Sequence, residues 1–158
     1  MKTIESQAIK FGLITTALLV LYFLAMKAFG LVHNVNLRFF NGIIMSVGVY
    51  WAISGYKKQN PNKFSYLEGI GLGVITSLVV ALLFSAFISL YIFAFPDFLT
   101  KIKIYEPQGI YLNQLAIAVI LFIEALASGC MISFISMQWL KKERPFGIRK
   151  PRKYSLNH

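Results

Sequence analysis

Four long apolar runs dominate this 158-residue chain and restrict what it can fold into. They cover about residues 11–32, 39–56, 64–95 and 110–140. A helix needs about 20 apolar residues to cross the hydrocarbon core of a bilayer, so each run is suited to a membrane span. Charged residues make up only 14% of the chain, against about 25% in a typical soluble domain. The sequence therefore predicts an all-α membrane protein, a bundle of four transmembrane helices.

The segments outside the runs are too short for a soluble domain. We expect a single transmembrane domain over residues 1–140, followed by a basic tail over residues 141–158. The first run continues past Lys27 to Val32 without a convincing small-residue cleavage site. It is therefore expected to anchor the protein rather than to act as a cleaved signal peptide.

Lysine and arginine residues are unevenly distributed between the two predicted sides of the membrane. Twelve lie on the side that carries both termini, and four on the other. Since cytoplasmic loops are enriched in these residues, both termini are expected in the cytoplasm. This topology signal accounts for most of the net charge of +10, so no nucleic-acid partner is predicted. Seven of the twelve lie in the tail, where they can also contact anionic lipid headgroups: Lys141, Lys142, Arg144, Arg149, Lys150, Arg152 and Lys153.

Small residues recur at intervals of four along the third predicted helix. They are Gly69, Gly73, Ser77, Ala81, Ser85 and Ser89, and the fourth predicted helix repeats the spacing with Ala125 and Gly129. Small residues let helix backbones approach closely, which matters in lipid because the hydrophobic effect contributes little to helix association there. We expect the third helix to be central, packed against its neighbours or against another copy of itself.

Glu124 is the most unusual polar residue, because it lies near the middle of the fourth run. A carboxylate in a membrane costs a few kcal/mol, so it is expected to face protein, to pair, or to stay protonated. Ser128 follows one turn later, and Lys27 is the basic residue inside a run that can reach inward if the two helices are neighbours. Two interpretations stay open: a protonated or salt-bridged Glu124 that locks the bundle, and a proton- or cation-coupled binding site.

Other polar residues indicate structure rather than catalysis. Ser65 and Glu68 have the spacing of a capping box at the start of the third helix. One cysteine, Cys130, and two histidines, His33 and His158, do not form a set of metal ligands. The sequence thus predicts no metal, no cofactor and no enzymatic activity. The segment 96–109 is expected to form a short amphipathic helix at the membrane interface.

The order of these features resembles a known protein family. The features are an apolar hairpin, a short lysine-rich loop, the sequence Phe64-Ser65-Tyr66-Leu67-Glu68-Gly69 opening a small-residue helix, and then Phe95-Pro96-Asp97-Phe98-Leu99. Together they resemble the small four-helix inner-membrane proteins of Bacteroidota that are grouped as a domain of unknown function. The resemblance implies four spans and a location in the bacterial inner membrane, and it supplies no functional residues.

Two functions are expected from this sequence. The first is a non-enzymatic accessory, scaffold or assembly subunit, whose third helix packs against another copy or against a larger membrane-protein partner. The alternative is a small homo-oligomeric transporter or channel in which Glu124 is the coupling carboxylate.

Overall fold

The computed structural model describes residues 3–30, 35–61, 64–105 and 113–140. These residues form five helices: α1 (Ile4–Ala28), α2 (Val35–Gln59), α3 (Tyr66–Ala94), α4 (Pro96–Tyr105) and α5 (Gln114–Leu140). Nearly all of the described residues are helical, and none of them lies in a strand. The predicted all-α class is therefore confirmed.

Three of the helices, α1, α3 and α5, are long and apolar enough to cross a membrane. The structure thus indicates a membrane protein with three candidate spans among the residues that it describes, where the sequence predicted four. The second helix is also long, with 25 residues. Asn41, three glycines and several aromatic residues make its central part less apolar than those of the other three long helices.

Two helix starts are stabilised by local hydrogen bonds, and the one at the start of α3 was predicted from the sequence. Ser65 and Glu68 form the expected capping box at the start of α3, with backbone N–H groups donating to Ser65 Oγ and Glu68 Oε2 over 3.2 and 3.0 Å. Thr3 caps α1 by accepting from the backbone N–H of Ser6. The short helix α4 occupies the segment expected to be an amphipathic helix.

The four long helices form a bundle in which α2 and α3 lie between α1 and α5. Helix α3 packs against α5 most extensively, and also against α1, α2 and α4. Helix α2 contacts α1, α3 and α5, so α1 and α5 lie at opposite corners. The central position expected for the third helix is the observed one.

The small residues of α3 face α5 of the same chain. Gly73 lies against Ser133, and Ser77 lies against Gly129, so closely that an added Cβ at either glycine would overlap the opposite serine. Five members of the α3 row are buried, and the sixth, Ser89, is half-buried and accepts a hydrogen bond from Gln114 Nε2. Of the two packing modes left open by the sequence, the structure shows the row against a neighbouring helix.

Helix α1 also approaches α3 and α2 closely. An added Cβ at Gly12 of α1 would lie 2.9 Å from Val79 Cβ of α3, and one at Gly48 of α2 would lie 2.9 Å from Thr15 Cβ of α1. Buried hydroxyl groups at these contacts donate to the carbonyl oxygen four residues earlier in their own helix, as Thr15, Thr76 and Ser133 do. The interior is thus tightly packed, and these hydroxyl donors are satisfied.

We predict that Gly129→Ala destabilises the bundle by about 1–3 kcal/mol, since the new methyl group forces α5 away from Ser77. The free energy of unfolding can be measured by titration with sodium dodecyl sulfate in mixed micelles. Gly71→Ala is the matched control, because an added Cβ there meets nothing within 4 Å. Equal stabilities of the two variants would contradict close packing of α3 against α5.

Candidate functional site

Glu124 lies near the middle of α5, and its side chain is exposed. Its exposed neighbours are apolar and include Ile120, Ile123 and Met131, which are 51%, 59% and 61% exposed. Ser128, one turn further along α5, is half-buried. The carboxylate was expected to face protein, to pair, or to stay protonated, and the structure places it on the outward surface of the single chain.

Lys27 is not brought near Glu124. Its ammonium nitrogen lies 4.7 Å from the ring centroid of Tyr91 and 4.2 Å from that of Phe95. The expected pairing required α1 and α5 to be neighbours, and they lie at opposite corners of the bundle. Lys27 instead makes cation–π contacts with Tyr91 of α3 and with Phe95, which directly follows α3.

The rings beside Lys27 belong to an aromatic cluster that joins α1, α3 and α4. Phe23 packs edge-on against Tyr91 and Phe98, with centroid distances of 5.1 and 5.8 Å. Tyr91 and Phe98 are also edge-on to each other at 5.3 Å. Sequence reasoning missed the contact of these aromatic residues with Lys27. The signal available was the spacing of four between Phe87, Tyr91 and Phe95, which places three rings on one side of α3.

Helix α5 is the least covered of the three apolar helices. Only 11% of its apolar window is buried, against 33% for α1 and 44% for α3. We call its uncovered surface the α5 outer face. Besides Glu124, it consists of the large exposed side chains Leu115, Val119, Ile120, Ile123, Met131, Phe134, Ile135 and Trp139.

An open groove of about 620 Å³ runs between α2 and α5, next to the α5 outer face. Its walls are mainly apolar, with Val47 and Trp51 from α2 opposite Ile135 and Trp139 from α5. All four of these side chains are exposed. The groove is therefore accessible from the side of the bundle.

Lys57 joins the C-terminal ends of α2 and α5. Its ammonium group donates a hydrogen bond of 2.5 Å to the carbonyl oxygen of Leu140, the last residue of α5. This bond satisfies one of the free carbonyl groups at the helix end and ties α5 to α2. The seven basic residues predicted to contact lipid headgroups, between Lys141 and Lys153, lie outside the described residues.

The described residues do not contain a group of three His, Cys, Asp or Glu side chains that could hold a metal ion. Cys130 is a half-buried free thiol. The candidate site on the described surface consists of the outward carboxylate of Glu124 and the adjoining groove.

We predict a coupling energy of about 0.5–1 kcal/mol between Lys27 and Phe95, since the ammonium group contacts a partly exposed ring. It can be measured as the interaction term of a double-mutant cycle with Lys27→Met and Phe95→Leu, using the free energy of unfolding in micelles. Lys27→Arg keeps the cation and should retain most of the stability. A coupling energy of zero would show that the contact does not stabilise the fold.

Comparison with known proteins places the chain in a family. No curated protein and no solved structure matches it. A family model described as a protein of unknown function, DUF4199, matches residues 10–142. The resemblance to a domain of unknown function is thereby confirmed at the level of the family. Because the match covers most of the sequence, this chain belongs to the DUF4199 family.

Proposed function

We propose that this protein is a non-enzymatic accessory or assembly subunit of the bacterial inner membrane, and that it binds a larger membrane protein through the α5 outer face. In this proposal α2 is the fourth span and both termini are cytoplasmic. The length of α2, 25 residues, corresponds to about 37 Å of helix, enough to cross a bilayer. Lys57 and Lys58 at its end then lie on the cytoplasmic side.

The main support for this proposal is the outward position of Glu124. A carboxylate facing lipid near mid-membrane is costly, and such groups normally face protein. Since the side chain is exposed in the single chain, a second membrane protein that covers the α5 outer face would remove this cost. The small residues of α3 do not form the surface for a second membrane protein, because they already pack against α5.

The tight interior supports a role at the surface of the bundle rather than passage through its centre. Gly73, Gly129 and Gly48 bring the helices into contact where a pathway through a single chain would have to run. The buried hydroxyl groups of Thr15, Thr76 and Ser133 donate to their own helices. A single chain is thus better suited to binding a neighbour than to conducting an ion.

A homo-oligomeric transporter or channel is the second candidate, and the same carboxylate favours it. Several copies arranged with their α5 outer faces around a shared axis would place Glu124 and Ser128 along a common pathway. Glu124 would then be the residue that couples transport to protons or cations.

We predict that the protein, tagged at its C-terminus and extracted with its lipids into polymer-bounded discs, is recovered with a second membrane protein at fixed stoichiometry. Glu124→Gln should reduce this recovery while leaving thermal unfolding unchanged, because the exposed side chain contributes little to the bundle. Glu5→Gln is the matched control, since Glu5 is an exposed carboxylate in the first turn of α1.

The masses of the recovered discs distinguish the candidate functions. A single chain would contradict both proposals. A homo-oligomer would contradict the accessory role and favour transport, and Glu124→Gln should then abolish proton or cation flux into vesicles.

A further inference from the structure

Glu124 and the groove between α2 and α5 lie along one continuous strip. On α5, Glu124 is followed by Ser128, Ile132, Ile135 and Trp139 at intervals of three and four residues, which keeps these side chains on one side of the helix. The last three line the groove, and all five are exposed or half-buried. The strip covers 16 residues, and the distance between its two ends is about 22 Å along the helix.

The shape of the strip suits a helix that lies alongside α2 and α5. The groove is open at its side and has small polar residues, Ser46 and Ser136, among its apolar walls. Small residues at such positions allow a neighbouring helix to approach closely. Trp51 and Trp139 supply large apolar surfaces beside them.

Charge determines which kind of helix fits. The lysines whose side chains the structure describes lie away from the middle of α5: Lys27 contacts Tyr91 and Phe95, and Lys57 binds the end of α5 at Leu140. Lys10 lies in the second turn of α1, Lys58 in the last turn of α2, and Lys103 in α4. The strip therefore presents a carboxylate that a cation from outside these groups would complement.

We propose that the groove between α2 and α5 binds one transmembrane helix of a partner protein, and that this helix carries a lysine or arginine that pairs with Glu124. The inference rests on the accessory function proposed above and specifies the chemistry of the partner. A second copy of this chain is a poorer occupant, because a symmetric contact through the strip would bring two carboxylates together, and like charges facing each other are destabilising.

Synthetic peptides in vesicles test this proposal without knowledge of the natural partner. The purified full chain carries a photoreactive residue in place of Val47 or Ile135 in the groove, or in place of Leu18 on α1. It is reconstituted in vesicles of phosphatidylcholine and phosphatidylglycerol. The probes are leucine-rich transmembrane peptides of about 21 residues, identical except for lysine, leucine or glutamate at the centre. We expect the lysine peptide to crosslink at positions 47 and 135 about tenfold more than the leucine peptide, and not at position 18.

Variants of the carboxylate show whether the preference comes from charge. Glu124→Gln should abolish the preference for lysine while thermal unfolding stays unchanged. Adding Leu18→Glu to this variant moves the carboxylate to an exposed position of α1, and the lysine peptide should then crosslink on α1. Equal crosslinking of the three peptides to the unaltered protein would overturn the proposal.

A third variant tests whether the protein already neutralises Glu124 by itself. Arg38→Gln, in α2, should leave the preference for lysine unchanged. A stronger preference in this variant would identify Arg38 as the existing partner of Glu124, which would also overturn the proposal.

The two proposals fail in different ways. If a partner is recovered from native membranes but the peptides show no preference for lysine, the accessory role stands and the charge-paired helix is wrong. If the lysine peptide binds the groove but native membranes contain only single chains, the chemistry of the strip stands and the accessory role is wrong.

Discussion

The contact between α3 and α5 determines most of the remaining structure. Helices in lipid gain little from the hydrophobic effect when they associate, so close packing and hydrogen bonds decide which faces meet. Gly73 against Ser133 and Ser77 against Gly129 bring these two helices together on small side chains. Gly12 and Gly48 then allow α1 to approach α3 and α2. This leaves α1 and α5 at opposite corners.

The same contact determines where Glu124 points. Gly129 lies five positions after Glu124, and at 3.6 residues per turn this corresponds to about 140° around the helix. When Gly129 faces α3, Glu124 must therefore face away from it. The outward carboxylate is thus a geometric consequence of the small-residue packing, and it directs attention from the interior of the bundle to its lateral surface.

The positions of the helices along the chain were predicted better than the contacts between helices. The predicted runs at 64–95 and 110–140 agree closely with α3 (Tyr66–Ala94) and α5 (Gln114–Leu140). The capping box at Ser65 was also predictable, because it depends on residues three apart. The pairing of Lys27 with Glu124 was expected only if their helices are neighbours, and the structure does not place α1 beside α5. The aromatic contacts of Lys27 were missed because they too depend on which helices are neighbours.

The sequence by itself determined that the chain is helical, that it contains apolar runs long enough to cross a membrane, and that it belongs to the DUF4199 family. These properties follow from local composition, from spacing and from similarity along the chain. Only the tertiary structure decided that the small residues of α3 pack within the chain, that Lys27 lies on aromatic rings, and that Glu124 faces outward beside a groove. Each of these depends on the order and rotation of helices, which are set by contacts between residues distant in sequence.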